Sequence, residues 1–377
     1  MSILDRYIIK RFLWNFLALF ALLFLFGVSV DLALQLDKFT GSAAAASASA
    51  AREGHATSTA QAFVWAVFSF YGPRVFQFYA YLCGLVSVAA MGFTLGQMNR
   101  HRELIALMAA GVGLQRVAVP ILGAALALNV LQLANQELVL PRLAPLLIRE
   151  HADVLRAQSR TYPVELTRDG AGNLFTAASF DPASGALAGL LVMERDSAGT
   201  AVRRLTAAAA RWDAEDRSWI LEDGWATTRH ARIGADAGGP GERERVDRYA
   251  TDLGPQGIAV RHSALYGQML SLAQIRDMEQ FGGVDPALLA RYRYARLAAV
   301  LVNLLMLVVT IPSFLRRLPV NLLQQSVIAA GLAVPGLLGA FIGMTVELPG
   351  LPPAVGVFLP VAILIPIAMA RVSTIQT

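Results

Sequence analysis

Charged residues and cysteine are scarce in this chain. Only 16% of its 377 residues are charged, whereas 55% are hydrophobic, and average soluble domains contain roughly 25% charged residues. Such a deficit is typical of a chain that lies partly in lipid. Cys83 is the only cysteine, which excludes an intrachain disulfide.

The sequence also lacks the motifs of the common enzyme classes. Lys10 and Lys38 are the only lysines, and neither belongs to a GxxxxGK[ST] phosphate-binding loop. No GxSxG nucleophile elbow is present, and the histidines lack the spacing of metal ligands. We therefore predict that the chain is not an enzyme and has no catalytic residue, no bound cofactor and no metal site.

Net positive charge is concentrated outside the middle of the chain. Residues 142–285 contain 17 arginines and 20 acidic residues, whereas the remainder contains 15 basic and 7 acidic residues. The net charge of +5 therefore comes from the apolar parts. This distribution argues against nucleic-acid binding and favours cationic flanks at a membrane surface.

Six apolar runs are long enough to cross a bilayer as helices, which takes about 20 residues each. They form two groups of three, separated by the polar middle. The runs are Phe12–Val30 (continuing to Leu36), Val75–Met98, Val117–Leu140, Leu297–Leu315, Leu322–Val346 and Pro353–Ala370. The sequence thus predicts transmembrane helices 1–3 within residues 1–141 and helices 4–6 within residues 291–377.

Nine basic residues in the short segments that flank these runs all fall on one side of the membrane. Only Asp5 and Glu103 oppose them there. The basic residues are Arg6, Lys10, Arg11, Arg100, Arg102, Arg116, Arg316, Arg317 and Arg371. By the positive-inside bias that side is cytoplasmic. We predict a multi-pass membrane protein with both termini cytoplasmic and residues 142–290 exported.

The exported middle has the pattern of a β domain. Turn-forming clusters occur at Arg168–Asn173, Asp181–Gly185 and Asp196–Gly199. Short apolar stretches lie between them, and Arg211–Trp225 reads as a strand, an acidic turn and a second strand. This spacing predicts an all-β sandwich or jelly roll. A loop is predicted at 234–245, and Ser271–Gly283 has the N-cap and apolar spacing of a short helix.

Two segments outside the β domain are predicted to lie near the membrane without crossing it. The alanine- and serine-rich segment Ser42–Ser58 resembles a flexible external loop in composition. Ala62–Tyr71 is too short to span and rich in aromatic residues, which predicts an interfacial helix that ends at Gly72–Pro73.

One short charged segment interrupts the second and third apolar runs. From Arg102 to Gly111, Leu104, Leu107, Met108 and Gly111 recur at the i, i+3, i+4 and i+7 positions of one helical face. Glu103 at its start suits the positive end of a helix and has the charge to meet an arginine of a partner. An interfacial connector with a solvated Glu103 explains the same pattern.

Several stretches resemble the lipopolysaccharide-export permeases of the LptF/LptG (YjgP/YjgQ) family, in the same order along the chain. Arg102–Pro120 resembles the family's coupling helix, with its glutamate and AxxAAG pattern. The other stretches that resemble the family are Leu4–Leu23, Phe70–Met98, Trp212–Trp225, Tyr294–Pro312 and Glu347–Pro360. The resemblance implies a six-span (3+3) helical protein of the inner membrane, with residues 142–290 forming an inserted periplasmic jelly-roll-like domain.

What the resemblance implies is the permease half of an ATP-driven machine that exports lipopolysaccharide. Its partners would be an LptB-type ATPase dimer, a second LptF/LptG-type permease chain and an LptC/LptA-type periplasmic bridge. The coupling helix, within 99–114, would bind the separate ATPase. Glu103 would face an arginine of that ATPase, with Arg102, Leu104 and Leu107 seating the helix, and Lys38 would contact lipid phosphate.

Two other functions also agree with parts of the sequence. One is another ABC-type half-permease, for lipoprotein release or mechanotransmission, although such proteins usually place their exported domain between the first two of four spans. The other is a membrane-anchored periplasmic protein for assembly or sensing. That protein would not need a coupling helix and should purify without an ATPase.

Overall fold

The structure is a computed structural model that contains two compact units. It describes residues 2–52, 58–147, 161–182, 184–196, 199–228, 242–262, 264–281, 284–315, 322–346 and 350–373. The first unit, here the membrane unit, comprises Met1–Leu36, Tyr71–Leu140 and Ala290–Thr377. The second, the β unit, comprises Asp37–Phe70 and Pro141–Leu289. The domain boundaries predicted from the sequence remain predictions.

Long apolar helices occupy the six predicted positions. They are α1 (Ile3–Leu34), α3 (Thr59–Arg100), α5 (Leu114–Ala134), α10 (Pro286–Phe314), α11 (Leu322–Thr345) and α12 (Pro353–Val372). Within the described residues, all except α11 are long and apolar enough to cross a membrane, and α11 contains the shorter apolar helix Val327–Gly343. The prediction of a helical membrane protein is confirmed.

The third helix is longer than predicted because it does not break at Gly72–Pro73. The 42 residues of α3 run from Thr59 to Arg100 with Pro73 inside the helix, a length of about 63 Å. The predicted separate interfacial helix is therefore wrong, and Ala62–Tyr71 forms the first part of α3. A proline removes one backbone hydrogen bond, but packing along a long helix can offset that cost.

The prediction of a flexible loop from Ser42 is also wrong. Helix α2 spans Leu36–Arg52, and 53–57 lie outside the described residues. Alanine has the highest intrinsic helix propensity, and the Ser42 and Ser47 hydroxyls donate to carbonyls three residues earlier. Buried Phe39 anchors α2 within the β unit through an edge contact with Phe70, with 5.4 Å between ring centroids.

An inserted antiparallel sheet lies in the β unit, which confirms the prediction of an all-β region. Its strands are β1 (Tyr162–Arg168), β2 (Leu174–Asp181), β3 (Ala186–Arg195), β4 (Ala201–Asp213), β5 (Ser218–Glu222), β6 (Trp225–Thr228), β7 (Glu242–Arg245) and β8 (Arg248–Ala250). They pair in the order β1-β2-β3-β4-β5-β8. The sheet forks at β4, because its last residues pair with β5 and its first residues pair with β6.

Strand β7 lies within the predicted loop 234–245. Glu242–Arg245 pairs with β6, with Thr228 opposite Glu242, so the loop prediction is wrong for these four residues, and 234–241 lie outside the described residues. The segment has no apolar residue to alternate with its charges, and β6 is its only partner strand among the described residues. Its pairing depends on the backbone, which a hydrophobic pattern cannot reveal.

The remaining helices connect these parts. They are α4 (Glu103–Ala109), α6 (Leu140–Leu147), α7 (Pro255–His262), α8 (Ala264–Met269) and α9 (Leu272–Phe281). A π-helical turn, Asn135–Val139, joins α5 to α6. The predicted helix after Ser271 is confirmed as α9, and the Ser271 hydroxyl accepts the backbone N–H of Gln274 at 3.1 Å, the N-cap contact expected there.

Each unit has its own hydrophobic core. In the membrane unit, α1, α3, α4, α5, α10, α11 and α12 all contribute side chains to one buried cluster. In the β unit the core lies on one face of the sheet, around the fully buried Trp219. The indole N–H of Trp219 donates to the Leu253 carbonyl at 3.0 Å, so this large side chain is buried without an unpaired donor.

Candidate functional site

Helix α4 is a seven-residue segment between the ends of α3 and α5, in the position predicted for the coupling helix. It begins after Arg102, whose φ of 57° lies in the left-handed region that non-glycine residues seldom adopt. At the other end the Val112 N–H bonds the Leu107 carbonyl and the Gly111 N–H bonds the Met108 carbonyl. With Gly111 at φ 76°, this is a Schellman cap, which fixes where the helix stops.

The apolar face of α4 packs against its own chain. Leu104 is 1% exposed and belongs to the core of the membrane unit. Leu107 and Met108 are partly buried against the same core. The structure thus brings Leu104 and Leu107 together as anchors that hold α4 on the membrane unit.

The opposite face of α4 is exposed. Arg102, Ile105, Ala106 and Ala109 have exposed side chains, and Ile105 is 43% exposed. The spacing of the last three residues places them on one side of the helix. Small side chains there leave the backbone open to close approach by another surface.

Glu103 is held by the first helix. Nη1 of Arg11 lies 2.8 Å from Oε1 of Glu103 and 3.0 Å from Oε2. The Tyr7 hydroxyl donates to Oε2 at 3.0 Å, and Tyr7 and Arg11 are one helical turn apart on α1. The predicted contact between Glu103 and an arginine of an ATPase stays a prediction, and within this chain its carboxylate is bound by Arg11 and Tyr7.

Further polar contacts connect α1 to the two helices that flank α4. Nε of Arg11 donates to the Gln97 side chain at 3.2 Å, near the end of α3. Asp5 lies 3.8 Å from Arg116, near the start of α5. One helical turn beyond Arg11, the Asn15 side chain donates to Thr94 of α3 at 2.9 Å. The first turns of α1 therefore contact α3, α4 and α5.

Lys38 is not part of this cluster. It has an exposed side chain on α2, within the β unit, beside the exposed Asp37. Its predicted contact with lipid phosphate stays a prediction.

Sequence reasoning did not identify Tyr7 and Arg11 as partners of Glu103. In the sequence, Arg11 is recognisable only as one of the basic residues that predict membrane orientation. The available signal was the Tyr7 and Arg11 pair at i and i+4, which lies on one face of a helix. That spacing does not say which acid the pair meets, because Glu103 is more than 90 residues away.

The family model for the lipopolysaccharide export system permease LptF/LptG matches residues 56–373, more than four-fifths of the chain. The matched range includes α4 with Glu103, whereas Tyr7 and Arg11 lie before it. No curated protein matches the chain. With its long apolar helices and inserted antiparallel sheet, the chain belongs to the LptF/LptG family of lipopolysaccharide export permeases, transport components that pass several times through the inner membrane.

Proposed function

We propose that this chain is the permease half of an ATP-driven exporter that extracts lipopolysaccharide from the inner membrane and passes it to a periplasmic β-jelly-roll bridge. The ATP is hydrolysed by a separate LptB-type ATPase dimer, and a second LptF/LptG-type chain completes the membrane part. An LptC/LptA-type bridge receives the lipid. Family membership supports the substrate and the class of partner.

The observation that carries the proposal is the exposed face of α4. A coupling helix needs a firm seat on the membrane domain and a free face for the ATPase. Buried Leu104 packs α4 against the membrane unit, and the exposed side chains of Ile105, Ala106 and Ala109 form the surface that is free to contact the ATPase. A helix held in this way transmits displacement to the spans as a rigid element, which a mobile loop does not do.

The proposed orientation places α4 and both termini in the cytoplasm and 142–290 in the periplasm. Its support is the position of the basic residues, which favour the cytoplasmic side. Arg11 contacts Glu103 of α4, Arg102 and Arg116 flank α4 along the chain, and Arg371 lies in the last turn of α12. The β unit would then meet its bridge in the periplasm.

The exposed surface of α1 supports a partner within the membrane. Only 6% of the most apolar window of α1 is buried inside the chain. Large apolar side chains such as Trp14, Leu25 and Phe26 are exposed along it, as expected for a helix that meets lipid or a second permease chain. The family resemblance also implies a lateral gate formed by spans one and five, and α1 is the first of these spans.

A purification in mild detergent tests the proposal. The tagged chain should copurify with an ATPase subunit, a second six-span chain and a large anionic glycolipid, all identifiable by mass spectrometry. Ala106→Arg places a large cation on the free face of α4 and should remove the ATPase while the second chain remains. Glu215→Arg, in the exposed turn between β4 and β5, is the matched control. A wild-type chain that purifies without ATPase and glycolipid would favour an assembly or sensing protein.

A further inference from the structure

The Glu103 carboxylate is a junction between helices. One nitrogen of Arg11 lies within 3.0 Å of both carboxylate oxygens, and the Tyr7 hydroxyl reaches one of them. Through Nε, the same arginine also contacts Gln97 near the end of α3. Arg11 therefore joins the first helix to the segments on both sides of the turn that begins α4.

This junction is poorly explained as a stabilising feature of the fold. The side chains of Arg11 and Glu103 are 18% and 30% exposed, so the pair is only partly buried, and ion pairs contribute less to stability as their exposure increases. Leu104, the next residue, already holds α4 in the core. The ion pair adds a directional link from α4 to α1, because charge-assisted hydrogen bonds are stronger than neutral ones and also hold the two side chains in a defined geometry.

We propose that Arg11 and Tyr7 are positioning residues that couple α4 to the first span, and that Glu103 acts through Arg11. When the ATPase moves α4, the ion pair carries the displacement to the proposed cytoplasmic end of α1. This inference rests on the proposed function, because it assigns a route for motion that starts at an ATPase. It differs from a direct contact between Glu103 and an ATPase arginine, in which α1 has no part.

A charge exchange in the complete complex tests the inference. The full chain, its second permease chain and the ATPase are reconstituted in vesicles that contain lipopolysaccharide, and ATP hydrolysis and lipid release are measured together. Arg11→Glu and Glu103→Arg should each lower the lipid released per ATP by about tenfold, and the double exchange should recover most of that loss, as expected for a coupled pair. Tyr7→Phe should have a smaller effect in the same direction.

Two controls separate coupling from general damage. Lys10→Glu makes the same charge change one residue away, at an exposed position, and should leave coupling unchanged. The thermal unfolding midpoint and the amount of bound ATPase should stay near wild type in Arg11→Glu. Coupling that falls only in proportion to thermal stability would overturn the inference.

The outcomes also distinguish this inference from the proposed function. If Arg11→Glu is normal and the double exchange is as defective as Glu103→Arg, Glu103 contacts the ATPase directly and the positioning role is wrong. If the wild-type complex releases no lipid with ATP, the proposed function has failed before any variant is compared.

Discussion

Arg296 on α10 and Glu137 in the π-helical turn form an ion pair inside the membrane unit. The Arg296 side chain is 6% exposed and that of Glu137 is 29% exposed. Charged side chains are costly near lipid and are generally paired there. These residues are separated by more than 150 positions, so no local sequence pattern pairs them.

Removing the cation of this pair should destabilise the chain. Arg296→Leu removes an ionic partner of a partly buried carboxylate and should cost about 3 kcal/mol. Glu137→Leu/Arg296→Leu removes both charges and should recover most of that loss, because apolar replacement of a buried pair is often close to neutral. Thermal unfolding of the purified chain in detergent measures both. A double variant no more stable than Arg296→Leu would contradict the role of the pair.

Asp169 organises one corner of the β unit. It is 6% exposed and accepts hydrogen bonds from the backbone N–H of Asn173, the Tyr249 hydroxyl and the Thr251 hydroxyl. Burial raises the pKa of the Tyr249 hydroxyl above its usual range, and the Asp169 carboxylate raises it further. The predicted turn at Arg168–Asn173 is confirmed, but its link to β8 was not visible in the sequence.

This raised pKa predicts a loss of stability at alkaline pH. The unfolded chain releases the Tyr249 proton near pH ~10, whereas the folded chain retains it. The contribution of the neutral hydroxyl is therefore complete below that pH and declines as the pH rises above it. Tyr249→Phe should cost about 1 kcal/mol at neutral pH, and its unfolding midpoint should fall less steeply in alkali. Unfolding midpoints that fall equally steeply with rising pH in the wild type and in Tyr249→Phe would contradict this.

At the scale of elements, α3 and α10 approach closely at Gly84. A side-chain carbon added to Gly84 would overlap Oδ1 and Cγ of Asn303 on α10. The Asn303 amide donates to Oδ1 of Asn129 on α5 at 2.9 Å. Small residues that let helices meet, together with side-chain amides that bond across them, are typical of membrane helix packing. Three helices therefore meet at this point.

Gly84→Ala should destabilise the membrane unit by about 1–3 kcal/mol through overpacking. The penalty should shrink in an Asn303→Ala background, since the overlapping atoms are gone. Gly123→Ala on α5, where no heavy atom lies within 4 Å of the added carbon, is the control. Thermal unfolding of the wild type, the two single variants Gly84→Ala and Asn303→Ala, and the double variant gives the interaction free energy between the two sites. Strictly additive effects of Gly84→Ala and Asn303→Ala would show that the two sites are independent.

The elements that sequence reasoning predicted well are those with a strong periodic signal. The apolar runs, the turn clusters of the β unit and the capped helix α9 each have a local physical cause. The failures at α2, at the start of α3 and at β7 have another origin. Alanine-rich composition fits both a linker and a helix, a proline inside a long helix resembles a boundary, and a charged edge strand has no apolar alternation.

The candidate site was predictable only in part. The stripe of Leu104, Leu107 and Met108 marks a helix with one apolar face, and in the structure this face packs on the core, whereas the role of Leu104 and Leu107 in ATPase coupling stays a prediction. The partners of Glu103 come from α1, and no local pattern connects them. Tertiary pairing of charged residues needs the arrangement of helices, which a single sequence does not supply.

At the scale of the whole molecule, the proposed orientation predicts which regions can be labelled from outside. Cys83 is buried, so a Cys83→Ala background accepts single cysteines at Ser373, after α12, or at Glu215 in the β unit. With a membrane-impermeant maleimide and cells with a permeabilised outer membrane, only the Glu215→Cys protein should react, and lysis should expose Ser373→Cys. The opposite pattern would reverse the topology.

ATP-dependent transfer of lipopolysaccharide tests the central claim most directly. Vesicles containing lipopolysaccharide, this chain, its second permease chain and the ATPase are mixed with a soluble bridge protein, and lipid on that bridge is measured by crosslinking. We expect transfer only with ATP, with an ATPase able to hydrolyse it and with this chain present. Transfer that proceeds equally without this chain, or a complex that hydrolyses ATP and transfers none, would contradict the assignment of this chain as the exporting permease.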